Sequence, residues 1–229
     1  MTAPVRLVLA SASAGRLGTL RAAGVDPAVV VSAVDEDAVL TAATHRYGPL
    51  TPADAALLLA RGKCEDVASR LSTGDVPGDV LVPGGGADLV LGCDSIFELD
   101  GTAYGKPATP AQARDRWRTM SGKSAALHTG HWLIDARAPE AGGTGGTFGE
   151  TVTTEVTFAS MSEHDIEAYV ATGEPLACAG AFTIDGYGGA FVTGVVGDPH
   201  NVVGLSLPAL RSMLAEIGVA WPRLWSRRG

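Results

Sequence analysis

The chain has 229 residues, 17 basic and 25 acidic side chains, a formal charge of −8, and 46% hydrophobic against 18% charged residues. That balance excludes a disordered chain. It also argues against non-specific binding to nucleic acid, which depends on neutralising many phosphates, so an anionic ligand must be met by a local cationic pocket. Cys64, Cys93 and Cys178 are odd in number and contain no C-x-x-C pair. Neither a disulfide framework nor a zinc knuckle is expected, and a reducing, cytoplasmic compartment is. The apolar run Leu7–Ala10 ahead of small residues resembles an export signal. It is shorter than the ~7–15 residues such a signal needs, and no stretch approaches the ~18 of a membrane span, so no membrane partner is expected.

In chain order, Val5 to Ala10 reads as a buried strand, followed by a Ser/Ala-rich turn and a short helix through Leu17 and Leu20 that stops at Gly24. Val29 to Val34 reads as a second strand. Thr51-Pro52 opens a long helix, with Leu57, Ala60, Cys64, Val67, Ala68 and Leu71 on its apolar face. Gly62 weakens that helix, which suggests a packing or functional reason for it. Leu89 to Phe97 is another buried strand, and Asp100-Gly101 turns it into a hairpin that returns through Thr102 to Lys106. Thr109-Pro110-Ala111-Gln112 starts a helix through Trp117 and Met120 with a capping-box pattern. Strands at 127–134 and 151–158 flank a Gly/Thr/Pro-rich exposed loop at 138–149. Ser162 and Asp165 open a helix closed by Gly173, and Leu207, Leu210, Leu214 and Ile217 mark the last one. Interleaved strands and helices make the class α/β, in one domain spanning residues 1–229 with a tail at 220–229.

Several motifs are decoys. Gly122-Lys123-Ser124 mimics the end of a phosphate loop, but Trp117 stands where that loop needs glycine. The glycine clusters at 84–86, 142–146 and 186–189 hold no dinucleotide-binding register. His128 and His131 lie three apart in a strand, so they point to opposite faces and are poor candidates to chelate one metal. Four other places carry stronger chemistry. Ser11, Ser13 and Arg16 follow the first strand, where backbone N–H groups at a helix start favour an anion and an arginine fork suits phosphate oxygens. Asp35-Glu36-Asp37 is either a solvated acidic run or a source of divalent-metal ligands. Asp94 interrupts an apolar strand, and burying an unpaired carboxylate is expensive enough to imply a cation, a metal or a catalytic duty. Lys106, twelve residues on, sits between Gly105 and Pro107, where it either faces the same cleft or is an ordinary loop lysine.

Together these places resemble the Maf family of nucleoside-triphosphate pyrophosphatases. The family pattern is a Ser-rich L-A-S-x-S-P-R-R, then D-E, an A-x-x-K-A helix, G-A-D-T/S, a K-P turn, and late I-Q-G and N-V-V-G-L-P blocks. Here they read Leu9 to Arg16, Asp35-Glu36, Lys63, Gly92 to Ser95, Lys106-Pro107, Gly180 to Gly186 and Asn201 to Leu207. Two positions depart: Ala14-Gly15-Arg16 replaces Pro-Arg-Arg, and Asp185 replaces the glutamine of I-Q-G. The Gly86-Ala87-Asp88 triplet lies eighteen residues before Lys106 and is a false match.

The resemblance implies an elongated two-lobed α/β fold around a mixed, curved sheet, with a nucleotide cleft between the lobes. It implies hydrolysis of a nucleoside triphosphate to the monophosphate and pyrophosphate with a divalent cation, Mg²⁺ or Mn²⁺. Asp94 would be general base or metal ligand, with Glu36 a metal ligand and Lys106 catalytic. Ser11, Ser13, Arg16, Lys63, Ser95 and Asp185 would contact the substrate. A homodimer is a further expectation. The competing reading is a non-catalytic nucleotide-binding regulator acting in cell-division control.

Overall fold

A computed structural model describes residues 5–76 and 87–226. Its strands are β1 (Leu7–Leu9), β2 (Ala28–Val29), β3 (Leu89–Leu99), β4 (Thr102–Tyr104), β5 (Ser124–Asp135), β6 (Thr147–Phe158) and β7 (Val192–Val196). They form one mixed sheet in the order β2-β1-β3-β5-β6-β7, with β4 paired to β3. β1 runs parallel to β2 and β3, and the other pairings are antiparallel. Asp100 and Gly101 both take positive φ, the backbone of a primed two-residue hairpin turn between β3 and β4.

β3 is the strand that matters most. β5 pairs with it from Leu89 to Glu98 along one edge. Along the other edge β1 covers Leu89 to Leu91 and β4 covers Phe97 to Leu99. Among the described residues, 92–96, including Asp94, are therefore left without a strand neighbour on that edge. The sheet has a gap there, flanked by two separately packed regions. On one side Leu9, Leu20, Leu91, Leu133, Leu210 and Leu214 pack together beneath α1 (Ala14–Ala22) and α7 (Leu207–Glu216). On the other, Trp117 of α4 (Pro110–Met120) meets Phe158 and Tyr169 edge-on, with ring centroids 5.5 and 5.3 Å apart. Tyr169 belongs to α5 (Glu163–Ala171), which opens at Ser162 as expected, through a Ser162/Asp165 capping box.

The long helix α3 (Pro52–Thr73) starts at the Thr51 cap and lies directly on β3 and β5. Gly92 and Gly130 permit this. A Cβ on Gly92 would sit 2.7 Å from the Cys64 Cβ and overlap the Ala60 carbonyl, and one on Gly130 would overlap Ala56. These glycines let helix and sheet backbones touch. Gly62 does not have that role, since a Cβ there would meet only the Val34 methyl at 3.7 Å, an ordinary contact.

Three expectations need correction. The strand read over Val29 to Val34 stops at Val29, because the Val30 N–H makes the last ladder bond, to Leu9, before the chain leaves the sheet. The acidic run is not a loop but the start of α2 (Glu36–Tyr47), whose cap is Asp35. The exposed loop at 138–149 is shorter than read, because Thr147, Phe148 and Gly149 already pair with β5. Of the tail, Leu224 is buried and Trp225 bridges to Val25, so residues 221–226 pack on their own chain. The glycine cluster at 84–86 lies outside the described residues. A short helix α6 (Pro199–Val203) and the edge strand β7 complete the chain. Among the described residues, no helix is long and apolar enough to cross a membrane.

Candidate active site

Asp94 pairs in register with Gly130 in the middle of β3, on the face covered by α3. The residue is 8% exposed, and its Oδ1 accepts a hydrogen bond from Lys63 Nζ at 2.5 Å. The same ammonium lies 2.8 Å from Glu36 Oε1. Lys63 reaches both because Gly92 brings α3 down onto β3, and because the Asp35 side chain caps α2 and fixes Glu36 at its first turn. Burial pushes the Asp94 carboxyl up. The charges of Lys63 and then Arg16 oppose that, Glu36 adds to it, and the net shift is upward.

Arg16 approaches from the end of β1, where the Ser13 side chain caps α1. Its Nε donates to the Gly204 carbonyl at 2.8 Å, Nη1 to Ser11 Oγ at 3.0 Å and Nη2 to Ser95 Oγ at 3.1 Å. Three of the five guanidinium N–H groups are thereby used, and two have no acceptor among the described residues. Gly204 is required here: its φ is +112°, and a Cβ would press on Arg16 Nε at 3.0 Å. Gly15, which replaces the first arginine of the Pro-Arg-Arg pattern, packs against Val203 of α6, where a Cβ would lie 3.0 Å from a valine methyl. The Ser11 and Ser13 oxygens accept bonds from Arg16 and from local backbone, and neither hydroxyl proton has an acceptor among the described residues.

Ser95 follows Asp94 and so points to the opposite face of the sheet. Its hydroxyl bonds Thr129 Oγ1 at 2.9 Å, and Thr129 in turn donates to the Asn201 carbonyl at 3.1 Å. Asn201 Nδ2 is anchored to Leu127 O, Val152 O and Thr154 Oγ1. The Asn201–Leu207 block thus holds Ser95 and Arg16 in place from behind the site. His131, fully buried on this same face, accepts the Ser206 N–H at 2.8 Å through Nε2. Burial first, then Arg16, lowers its pKa to about 4, so the ring is neutral near pH 7. Neither Asn201 nor His131 was singled out from sequence as a supporting residue. A polar side chain in a buried strand is the signal His131 carried.

Lys106 and Asp185 stand apart from the Asp94 group. Both are exposed, and both act electrostatically on the half-buried Cys178 thiol, Asp185 raising its pKa and Lys106 lowering it. Lys106 has no ion pair or hydrogen bond with another described residue, and the Asp185 carboxylate is held by the Thr183 hydroxyl. The loop carrying Asp185 is fixed by Glu174, which accepts the Tyr187 and Gly188 N–H groups at 2.9 and 2.8 Å.

The decoys resolve structurally. Lys123 pairs with Asp100, and His128 bonds Glu98 and Thr153 on the face opposite His131. Asp88 of the false triplet pairs with Arg6. A groove of about 790 Å³ between α1, α7, Trp221 and Trp225 contains none of the site residues.

A hard divalent ion of the magnesium type binds through one or two carboxylates together with substrate phosphates and water. Glu36 and Asp94, already converging on one cation, fit that requirement. Among the described residues, no group of three His, Cys, Asp or Glu side chains forms an all-protein site.

The chain has relatives along almost its whole length. Residues 6–217 match the family described as Maf-like protein, and the chain belongs to that family. It is 46% identical over 225 residues to the nucleoside triphosphate pyrophosphatase of Leifsonia xyli subsp. xyli, covering 98% of this chain and 99% of that protein. It is 48% identical over 224 residues to the nucleoside triphosphate pyrophosphatase of Mycobacterium ulcerans, covering 96% and 97%. With the protein of the same name from Streptomyces coelicolor it shares 44% over 221 residues, covering 96% and 95%.

Proposed function

We propose that this chain hydrolyses nucleoside triphosphates to nucleoside monophosphates and pyrophosphate, with the sheet gap at residues 92–96 as the reaction centre. Relatives of 43–48% identity over nearly full length carry that name. The observation that carries the reading is Asp94: a buried carboxyl, raised in pKa, on an uncovered strand edge between Lys63 and Arg16. Lys63 occupies Oδ1 and leaves Oδ2 to accept the proton of the water that attacks the α-phosphorus. A base whose pKa is raised toward the working pH serves that step better than an ordinary carboxylate.

Attack builds charge on the phosphoryl oxygens and on the departing pyrophosphate. The two spare N–H groups of Arg16 and the free hydroxyl protons of Ser11 and Ser13 would take phosphate oxygens, and Lys106 the leaving group. Ser95 serves chiefly by holding Arg16. Glu36 would hold Mg²⁺ or Mn²⁺, with Asp94 joining it only in place of the base role; the ion supplies charge neutralisation on the phosphates. Asp185, an acceptor where the family pattern has glutamine, would meet donor groups on a base edge.

Pyrophosphate release against a panel of canonical and modified triphosphates tests this. Turnover by the wild type and a loss of at least ~10²-fold in Asp94→Asn is expected, the usual size of a general-base contribution. Nucleotide binding without pyrophosphate release by the wild type would favour the regulatory reading instead.

A further inference from the structure

We propose that Arg116 is a positioning residue that aims Lys106 at the leaving group; the inference rests on the role given to Lys106 above. Arg116 lies on α4, next to the fully buried Trp117 that anchors this helix in the second packed region. Its Nη1 donates to the Gly105 carbonyl at 2.5 Å, the peptide group that leads directly into Lys106. Its guanidinium carbon stacks 4.8 Å from the centroid of Tyr104, the last residue of β4. Arg116 therefore grips the chain on both sides of the point where β4 ends. Lys106 itself has no partner among the described residues and lies on exposed backbone between a glycine and Pro107. On the far side of Pro107 the Ala108 N–H donates to Gln112 Oε1 at 2.9 Å, so α4 holds the turn at both ends, with Arg116 on the Lys106 side.

The direction of the turn follows from strand register. Phe97 pairs with Tyr104 at the end of β4. Extended two residues past the end of β4, that register would set Lys106 opposite Ser95, the neighbour of Asp94 in the uncovered edge. An untethered turn would let a long lysine sample many directions, and ordering such a rotamer-rich side chain on binding costs affinity. A planar guanidinium that both stacks and donates has the geometry to hold the preceding peptide, which an ammonium lacks.

The test is a double-mutant cycle on pyrophosphate release, with thermal unfolding as the fold control. Arg116→Ala is expected to lower kcat/KM about 10-fold, within the range of coupled neighbours. It should cause little further loss in the Lys106→Ala background. Arg116→Met, which keeps the apolar stem, should reproduce the defect if the alanine variant folds poorly, and Arg116→Lys should restore only part of it. Additive losses, or wild-type kinetics in Arg116→Met beside an impaired Lys106→Ala, would overturn the positioning role while leaving Lys106 in the mechanism. Near-normal turnover by Lys106→Ala would remove Lys106 from the mechanism and the proposed role of Arg116 with it.

Discussion

Two buried acids in this molecule are each paired with a cation, and they differ in everything else. Asp135, at the end of β5, takes Arg137 in a bidentate grip, with Nε and Nη2 each 2.8 Å from a carboxylate oxygen. It also accepts the Thr144 N–H at 2.8 Å, the Thr144 hydroxyl at 2.9 Å and the Arg137 N–H at 3.3 Å. Burial pushes this carboxyl up, but the bonds from Arg137 and Thr144 outweigh it and bring the pKa down to about 2. Asp94 accepts one hydrogen bond, from Lys63, and burial wins. A saturated carboxylate fixes structure because it has no oxygen left for chemistry. An unsaturated one, held in an apolar strand, retains a free oxygen and a raised proton affinity. Charge and burial alone do not separate the two; the number of donors does.

Breaking each acid should therefore damage a different property. Asp135→Ala leaves Arg137 buried without its carboxylate and frees the loop at Thr144. Stability should fall by about 3–5 kcal/mol, the usual cost of breaking a buried pair, and the melting temperature by roughly 10 °C. Turnover per folded molecule should change little at 25 °C, and a large kcat loss at unchanged stability would reverse the assignment. Asp94→Asn should do the opposite: pyrophosphate release down by ~10²-fold or more, with the melting temperature held or raised.

His131 lies between these extremes, with Nε2 satisfied by Ser206 and a buried Nδ1 that has no partner. Its folded pKa of about 4 is below the unfolded value of 6.5. Between those values the unfolded chain binds a proton that the folded one refuses, so stability falls as pH drops through that window. Full expression would cost about 3 kcal/mol, from roughly 1.4 kcal/mol per pH unit. Asp135 adds a loss only below about pH 4, as its own carboxyl protonates. Denaturant unfolding at pH 7, 6, 5 and 4.5 should show the decline in the wild type and a flatter profile in His131→Gln. An unchanged slope in the variant would assign the acid lability to another group.

Much of this was legible in the sequence. An aspartate in an apolar strand, an Asp-Gly turn and a Thr-Pro helix start each carry their meaning locally, and each was found. α2 was not, because its residues form no apolar stripe: among them only Ala43 is buried. Its signal lay in the Asp35 cap and in the acidic first turn, which read equally well as a solvated run. β7 escaped for a similar reason, as a short edge strand with no buried residue and a glycine at its centre. The pairings within the site were beyond local reading. Arg16 and Gly204 are 188 residues apart, and nothing local to either names the other. Ser95, expected at the substrate, spends its hydroxyl on Arg16 and Thr129. Two strand glycines, Gly92 and Gly130, were the available hint that a helix backbone must come close, and hence that Lys63 would meet Asp94.

That contact allows the contrast between the two acids to be tuned rather than broken. Lys63 is the largest of the charges that hold the Asp94 carboxyl down against burial, with Arg16 behind it and Glu36 opposing both. Lys63→Met keeps the apolar stem against β3 but removes the ammonium, so the Asp94 pKa should rise further. A general base must be deprotonated to act, and the acidic limb of kcat/KM reports its pKa in the free enzyme. The wild-type limb should already lie above the ordinary carboxylate range, and in Lys63→Met it should move to higher pH. A shift of about one unit corresponds to roughly 1.4 kcal/mol of lost interaction. Lys63→Arg, which preserves the charge, should hold the limb near its wild-type place even where its bulk lowers turnover. If the limb moved downward in Lys63→Met, or did not move while turnover fell, Lys63 would be binding substrate without setting the proton affinity of Asp94.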